Sequence, residues 1–226
     1  MDYLYLILVL PAVIFSLWAS IRVNTTFKKY SKIRSMRGIT GAEAARRVLD
    51  ANGLQHIRIE QIPGNLTDHY DPRTRTLRLS DATYNSTSVA ALGVAAHECG
   101  HAIQDQKQYG PLVLRSTLVP AANIGSQLSW PIFFAGLIFS IQPLVTAGII
   151  LFCLAVLFQL VTLPVEFNAS SRALEILDQG GILGSQEMDG ARKVLRAAAM
   201  TYVAALASSL LQLLRLILIA RRNDRD

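Results

Sequence analysis

Near its middle the chain reads His97-Glu98-Cys99-Gly100-His101. Residues four apart on a helix lie on the same face, so the two imidazoles can bind one metal ion together. The carboxylate of Glu98 then projects beside the ion, where it can take a proton from an activated water molecule. The chain has four histidines, and two of them belong to this motif. The spacing therefore predicts the zinc site of a hydrolase rather than two histidines that line a core.

Small and apolar residues surround the motif and predict a buried helix over residues 86–104. Ser86 or Ser88 is the expected N-cap of this helix. Gly93 and Gly100 each lower the helix propensity by about 1 kcal/mol, so we expect them to allow close packing of another backbone. Two buried imidazoles and a carboxylate need partners, and a metal ion supplies one directly.

The composition indicates a membrane protein. The 226 residues are 51% hydrophobic, with a mean hydropathy of +0.33, which is more apolar than an ordinary soluble domain. We therefore expect a single membrane domain over residues 1–226. Residues 3–21 form the first predicted span, because they carry no charge and would measure about 28 Å as a helix. Asp2 replaces the positive start of a signal peptide, so this span is expected to be an uncleaved anchor.

Three later segments are also apolar enough to be considered as spans. Residues 118–140 form the second predicted span, which prolines and polar side chains interrupt. Residues 144–163 form the third, and Gln142-Pro143 is the predicted turn between these two. Residues 201–220 either span the membrane as a fourth helix or lie at its interface.

Charge predicts the orientation. Six basic residues follow the first span, namely Arg22, Lys28, Lys29, Lys32, Arg34 and Arg37. Because such charge flanks spans on the cytoplasmic side, we expect a cell-membrane protein whose active site faces the cytoplasm. The net charge of +6 therefore fits contact with a lipid bilayer, and the absence of interleaved aromatic residues argues against nucleic acid. Cys99 and Cys153 do not predict a disulfide.

Residues 23–117 are the predicted cytoplasmic part that carries the motif. Thr40 and Glu43 have the spacing of a capping box, which opens a helix expected to end at Asn52-Gly53. Polar and apolar residues alternate over residues 56–62 and 74–80, which predicts two strands. The open edge of the second strand is expected to pair with an extended substrate backbone.

Zinc in a hydrolase has three protein ligands, so the sequence must hold a third. Glu166 is the best candidate, in a helical part predicted over residues 165–200. Pro164 is expected to interrupt the preceding span, so that a new helix begins at Glu166. The second and third spans carry the chain out and back, which returns Glu166 to the side of His97 and His101. The alternative is an ordinary acidic residue at a helix start.

Longer segments carry a resemblance to a known family. The chain resembles the YugP-type bacterial membrane zinc metallopeptidases through TGAEAAR at residues 40–46, DHYDPR at 68–73, AAHECGHAIQ at 95–104 and LPVEFNAS at 163–170. This resemblance implies zinc-dependent peptidase activity. More distantly, the plan is similar to that of the HtpX and CAAX-protease group, whose third zinc ligand is the glutamate of a Glu-x-x-x-Asp pattern. Ser170 stands in place of that aspartate, so the support of a histidine ligand is expected to come from elsewhere.

Four residues are candidates for contact with the substrate or the oxyanion. His69, Tyr70, Arg172 and Tyr202 carry the imidazole, phenol or cation that such a role needs. Each also has a structural alternative: a strand-end turn for the first two, an ion pair on a helix for Arg172, and an interfacial aromatic residue for Tyr202.

The expected fold is mainly α, a multi-pass membrane protein with a zincin-like metalloprotease core. That core combines the motif helix, a small β-sheet and a third ligand from a later helix. The expected function is that of a membrane-embedded zinc-dependent endopeptidase with Glu98 as general base, acting on peptides or proteins, membrane proteins among them. The alternative is a catalytically silent membrane scaffold that binds partners and retains the zinc site. An intact Glu98 argues against it, since a structural zinc site needs no base.

Overall fold

The computed structural model describes Tyr3 and residues 5–223. The described residues form seven α-helices, three strands and a π-helical segment at Tyr5–Val9. The helices are α1 (Leu10–Tyr30), α2 (Gly41–Ala51), α3 (Asp81–Tyr84), α4 (Val89–Gln106), α5 (Gly110–Ile138), α6 (Gln142–Gln179) and α7 (Ser185–Asn223). The strands are β1 (Arg58–Ile62), β2 (His69–Asp71) and β3 (Thr76–Ser80). The prediction of a mainly helical protein with a small sheet is confirmed.

The small sheet has the order β1-β3-β2, in which β3 pairs parallel with β1 and antiparallel with β2. The prediction of an open edge at residues 74–80 is wrong, because both edges of β3 are paired. Strand β2 replaces the turn expected at His69 and Tyr70. Three residues are too few to show alternation, and the Asp71-Pro72 pair at the end of β2 is typical of a turn.

The helix that carries the motif is built as expected. The hydroxyl of Ser88 accepts a hydrogen bond from the amide of Ala91, so Ser88 rather than Ser86 is the N-cap of α4. The predicted capping box is also present, since Thr40 and Glu43 accept each other's backbone amides at the start of α2. Leu77 and Leu79 of β3 are fully buried in one core with residues of α2 and α4.

Three helices among the described residues are long and apolar enough to cross a membrane: Tyr5–Tyr30, Gln142–Gln179 and Ser185–Arg222. Leu4 of the first predicted span lies outside the described residues. Helix α5, which contains most of residues 118–140, is not one of the three, and its crossing of the membrane stays a prediction. So does the choice between a span and an interfacial helix for residues 201–220, which form part of α7.

Two local predictions around the third span are wrong. Gln142 and Pro143 begin α6 instead of forming the turn, which lies over residues 139–141 with Ser140 at φ 54°. Proline fits the first turn of a helix because its missing amide has no partner there in any case. Helix α6 also continues through Pro164, so Glu166 lies inside a helix and does not begin one. A proline removes one backbone hydrogen bond, and the helix tolerates that loss here.

The chain divides into two compact units. The hydrophobic unit contains Met1–Ala19, Pro111–Pro164 and Thr201–Asp226, and the sheet-containing unit contains Ser20–Gly110 and Val165–Met200. In the hydrophobic unit, Phe133 and Val145 are buried against Leu216. The sheet-containing unit holds α2, α4 and the sheet, and its largest core draws on residues from Ile39 to Leu195. The predicted boundaries of the cytoplasmic part, residues 23–117, and of the helical part, residues 165–200, stay predictions.

Candidate metal centre

Helix α4 presents His97 and His101 on one face, one turn apart. The two rings meet edge to face, with 4.8 Å between their centroids. Their side chains are 15% and 13% exposed, so both imidazoles are largely withdrawn from solvent. The spacing of four residues therefore places two candidate nitrogen ligands side by side in a site that is largely shielded from solvent.

Glu166 of α6 completes a group of three possible ligands. Its Oε2 atom lies 3.4 Å from His97 Nε2 and 3.7 Å from His101 Nε2. One ligand atom from each residue lies within 4.8 Å of the other two. Tetrahedral zinc, with bonds of roughly 2.1 Å, places its ligand atoms about 3.4 Å apart. The donor set and its spacing thus fit a zinc ion, although Glu166 follows His101 only after α5.

Close backbone packing brings α6 to α4. A Cβ atom added at Gly100 would lie 2.7 Å from the carbonyl oxygen of Ala169, a distance that a real side chain cannot occupy. On α6, Val165, Ala169 and Ala173 are fully buried. The prediction that Gly100 allows close packing is therefore confirmed. A Cβ atom added at Gly93 would lie 3.4 Å from the Cβ atom of Ala191, which is an ordinary contact distance.

Both histidines are also held through their second ring nitrogen. The hydroxyl of Ser170 lies 3.1 Å from His97 Nδ1, and Gln104 Oε1 lies 3.0 Å from His101 Nδ1. These contacts leave Nε2 of each ring directed at Glu166. The expectation that support comes from elsewhere than Ser170 is therefore wrong for His97. The hydroxyl of Ser170 contacts the ring of His97 directly.

The electrostatics of the site favour a cation. Burial by itself lowers the pKa of the His101 imidazole, but the hydrogen bond and charge of Glu166 and the charge of Glu98 outweigh burial and raise that pKa. A proton or a metal ion at Nε2 experiences the same attraction. The site is thus built to hold positive charge between the two rings and the carboxylate.

Glu98 is held from the side of the sheet. It is 8% exposed, and its Oε2 atom accepts the backbone amide of Tyr70 at 3.1 Å. The phenol of Tyr70 donates to Asp105 at 2.9 Å. Burial, followed by the hydrogen bond to Asp105, raises the pKa of this phenol, so Tyr70 remains a neutral donor. Strand β2 therefore orients the candidate base through its backbone.

The other candidate residues have different surroundings. His69 is exposed on β2, and its Nδ1 atom lies 2.9 Å from the carbonyl oxygen of Thr67. Arg172 is half-buried and donates from Nε to Asn168. Tyr202 is 38% exposed and belongs to the hydrophobic unit. For these three and for Tyr70, a contact with substrate or oxyanion stays a prediction.

The two cysteines are free thiols. Cys99 is fully buried, and its thiol donates to the carbonyl of Ala45, away from the histidine rings. Burial raises the pKa of this thiol, which keeps it protonated and unsuited to metal binding.

Sequence reasoning gave no role to Gln104 or Asn168, although both lie in the quoted motifs. Gln104 follows His101 by three residues, so the two share a face of α4. In the same way Ser170, which contacts His97, follows Glu166 by four residues and shares a face of α6 with it. That spacing was the available signal. Asn168 contacts the centre only through Gln104, which no pattern along the chain reveals.

The described residues form a mainly helical protein with three membrane-capable helices and a group of two histidines and a glutamate that could bind a metal ion. A family model described as "Putative neutral zinc metallopeptidase" matches residues 5–221. The chain is also 49% identical over 223 residues to the protein named "Putative membrane protease YugP" from Bacillus subtilis (strain 168), with 99% of each chain covered. The chain therefore belongs to this family of zinc metallopeptidases, whose cofactor is zinc, and the predicted resemblance is confirmed. No solved structure is significantly similar to it.

Proposed function

We propose that this chain is a membrane-embedded zinc-dependent endopeptidase in which His97, His101 and Glu166 bind the metal. The observation that carries the proposal is the position of Glu166, whose Oε2 atom lies 3.4 Å and 3.7 Å from the two Nε2 atoms. A surface carboxylate near one histidine would be unremarkable. A carboxylate that is 3% exposed and shared between two imidazoles needs a cation to offset the cost of its burial.

Glu98 is the proposed general base. Bound zinc would supply a Lewis acid that lowers the pKa of a water molecule and polarises a peptide carbonyl. Glu98 lies beside the ligand pair, and the amide of Tyr70 fixes one of its oxygens, which leaves the other able to accept a proton. The same carboxyl group can then deliver that proton to the leaving amine. The buried, protonated Cys99 takes no part.

The arrangement supports a zincin-like core. Helix α4 carries both histidines and the base, β2 runs beside the base, and a later helix supplies the third ligand. A glutamate in that third position is typical of the gluzincin type. Because β2 pairs only with β3 among the described strands, its other edge is the one we expect a peptide backbone to use.

The family membership implies peptide or protein substrates. The three long apolar helices support a multi-pass protein of the cell membrane. The basic residues that follow the first span are exposed in the described structure, with Lys28, Lys29 and Lys32 among them. Positive charge of this kind favours a cytoplasmic location for residues 23–117 and hence for the metal centre.

The proposal is tested on the full chain purified in detergent. We expect about one zinc ion per chain, cleavage of casein as an unfolded substrate, loss of both on treatment with a chelator, and recovery of both with added zinc. Zinc content is read by elemental analysis and cleavage by peptide release. A zinc-loaded protein that cleaves neither casein nor membrane-protein substrates would count against the peptidase and favour a scaffold.

A further inference from the structure

A series of hydrogen bonds runs behind His101, on the side of the ring opposite the metal. Arg172 Nε donates to Asn168 Oδ1 at 2.7 Å. Gln104 Nε2 donates to the same oxygen at 3.0 Å and to the carbonyl of Val165 at 2.9 Å. Gln104 Oε1 then faces His101 Nδ1 at 3.0 Å. Gln104, Asn168 and Arg172 are called the amide network below.

The two ends of the amide network determine its direction. A guanidinium group has only donors, so the atom of Asn168 that faces Arg172 must be its oxygen. A backbone carbonyl only accepts, so the atom of Gln104 that faces Val165 must be its amide nitrogen. The orientation of a side-chain amide is usually assigned by choice, but here two fixed partners require the same orientation of Gln104.

This orientation decides which nitrogen of His101 carries the hydrogen. The oxygen of Gln104 can only accept, so Nδ1 must be an N–H group, and in the neutral ring, which is the form that binds a metal, Nε2 then carries the lone pair. Gln104 is 0% exposed, so water cannot replace its partners easily. Rotation of its amide by half a turn would place oxygen against two acceptors and nitrogen against an N–H donor. The alternative tautomer is thus strongly disfavoured.

We propose that the amide network fixes His101 as the Nδ1–H tautomer, with Nε2 prepared for zinc, which makes Gln104, Asn168 and Arg172 positioning residues of the metal centre. The inference rests on the ligand set of the proposed function. Arg172 thereby has a role through Asn168, independent of any contact with substrate.

His97 offers a contrast within the same site. Its Nδ1 atom meets the hydroxyl of Ser170, which can either donate or accept. That contact orients the ring but does not select a tautomer. The selection is therefore made at His101 alone of the two ligands.

The test measures zinc affinity by chelator competition on the full chain. Gln104→Met removes both the acceptor and the donors with little change in size, and we expect zinc to bind roughly 10- to 100-fold more weakly. Gln106→Met is the matched control, because Gln106 is exposed on the same helix and donates only to the carbonyl of Asn52. Its affinity is expected to stay within about twofold of the wild type, the scatter we allow for a substitution outside the network.

Substitutions of Arg172 provide a second test, because Arg172 is only half-buried whereas Gln104 is buried. Arg172→Ala removes one of the two donors to Asn168 Oδ1, so we expect a smaller loss of affinity, and Arg172→Lys should restore part of it by keeping a donor. NMR of protein labelled with ¹⁵N-histidine reports which ring nitrogen bears hydrogen, and four histidines give a simple spectrum. We expect the Nδ1–H form at His101 in the metal-free wild type at a pH where the ring is neutral, since zinc bound at Nε2 would leave the hydrogen on Nδ1 whatever Gln104 did.

Two results would overturn the inference. The first is wild-type zinc affinity in Gln104→Met. The second is a loss of affinity in Gln104→Met while His101 of the metal-free variant keeps the Nδ1–H form, since Gln104 would then act by packing alone. Because neither readout involves peptide cleavage, a protein that binds zinc but cleaves nothing would refute the peptidase and leave this inference standing.

Discussion

The centre depends on three side chains whose other atoms are already engaged. His97 is held by Ser170, His101 by Gln104 and Glu98 by the amide of Tyr70. The proximity of the two histidines can be predicted from the sequence, because helix geometry alone places residues four apart on one face. The same geometry relates His101 to Gln104 on α4. Ser170 and the amide of Tyr70 reach the motif from another helix and from a strand, so their contacts cannot be predicted from spacing along the chain.

The assignment of Glu166 leads to a prediction at this scale. We expect Glu166→Ala to lose most bound zinc, because two neutral imidazoles and water bind the ion much more weakly than three protein ligands. Glu175→Ala is the control, since Glu175 is an exposed carboxylate on the same helix whose partner is Gln179. Elemental analysis measures the zinc content of both variants. Full zinc occupancy in Glu166→Ala would show that another residue is the third ligand.

Among the elements, α4 and α2 follow their sequence closely, while β2 and α6 do not. Caps and a buried apolar face define the two helices locally. Strand β2 has three residues and exists through its pairing with β3, so tertiary contacts decide it. Helix α6 continues through Pro164 because one lost hydrogen bond is a small part of a helix of 38 residues.

The two glycines of α4 give a matched pair of substitutions. Gly100→Ala forces a methyl group against the Ala169 carbonyl, so we expect a loss of roughly 1–3 kcal/mol in stability and weaker zinc binding. Gly93→Ala places its methyl group at an ordinary contact distance, and the gain in helix propensity should leave stability equal or higher by up to about 1 kcal/mol. Thermal unfolding in detergent compares the two. Equal stabilities would contradict the close approach of α6 to α4.

For the whole molecule, hydropathy predicts more than periodicity does. Long apolar segments predict the three membrane-capable helices, because hydrophobic length is a property of one segment. The predicted boundaries of the parts outside the membrane, residues 23–117 and 165–200, stay predictions, while the composition of the two compact units depends on which segments pack together. The turn between α5 and α6 lies a few residues before its predicted position at Gln142-Pro143. A proline can either belong to a turn or begin a helix, and here it lies in the first turn of α6.

Orientation is the prediction that belongs to the whole molecule. Single cysteines at Lys32, Ser140 and Ser185, all exposed, are placed in a background with serine at Cys99 and Cys153. The excess of basic residues after the first span predicts that only Ser140→Cys reacts with a membrane-impermeant thiol reagent on intact cells. Permeabilised cells, in which all three should react, are the control. Labelling of Lys32→Cys on intact cells would contradict the predicted orientation and indicate the opposite one.

Cleavage by the variant Glu98→Gln tests the central claim most directly. The amide keeps the size of the side chain and can stay near the amide of Tyr70, but it is not a base. We expect Glu98→Gln to retain about one zinc ion per chain, to lose cleavage of casein by roughly 100- to 10,000-fold, and to hold uncleaved substrates. Cleavage at the wild-type rate with zinc bound would contradict the role of Glu98 and the mechanism built on it.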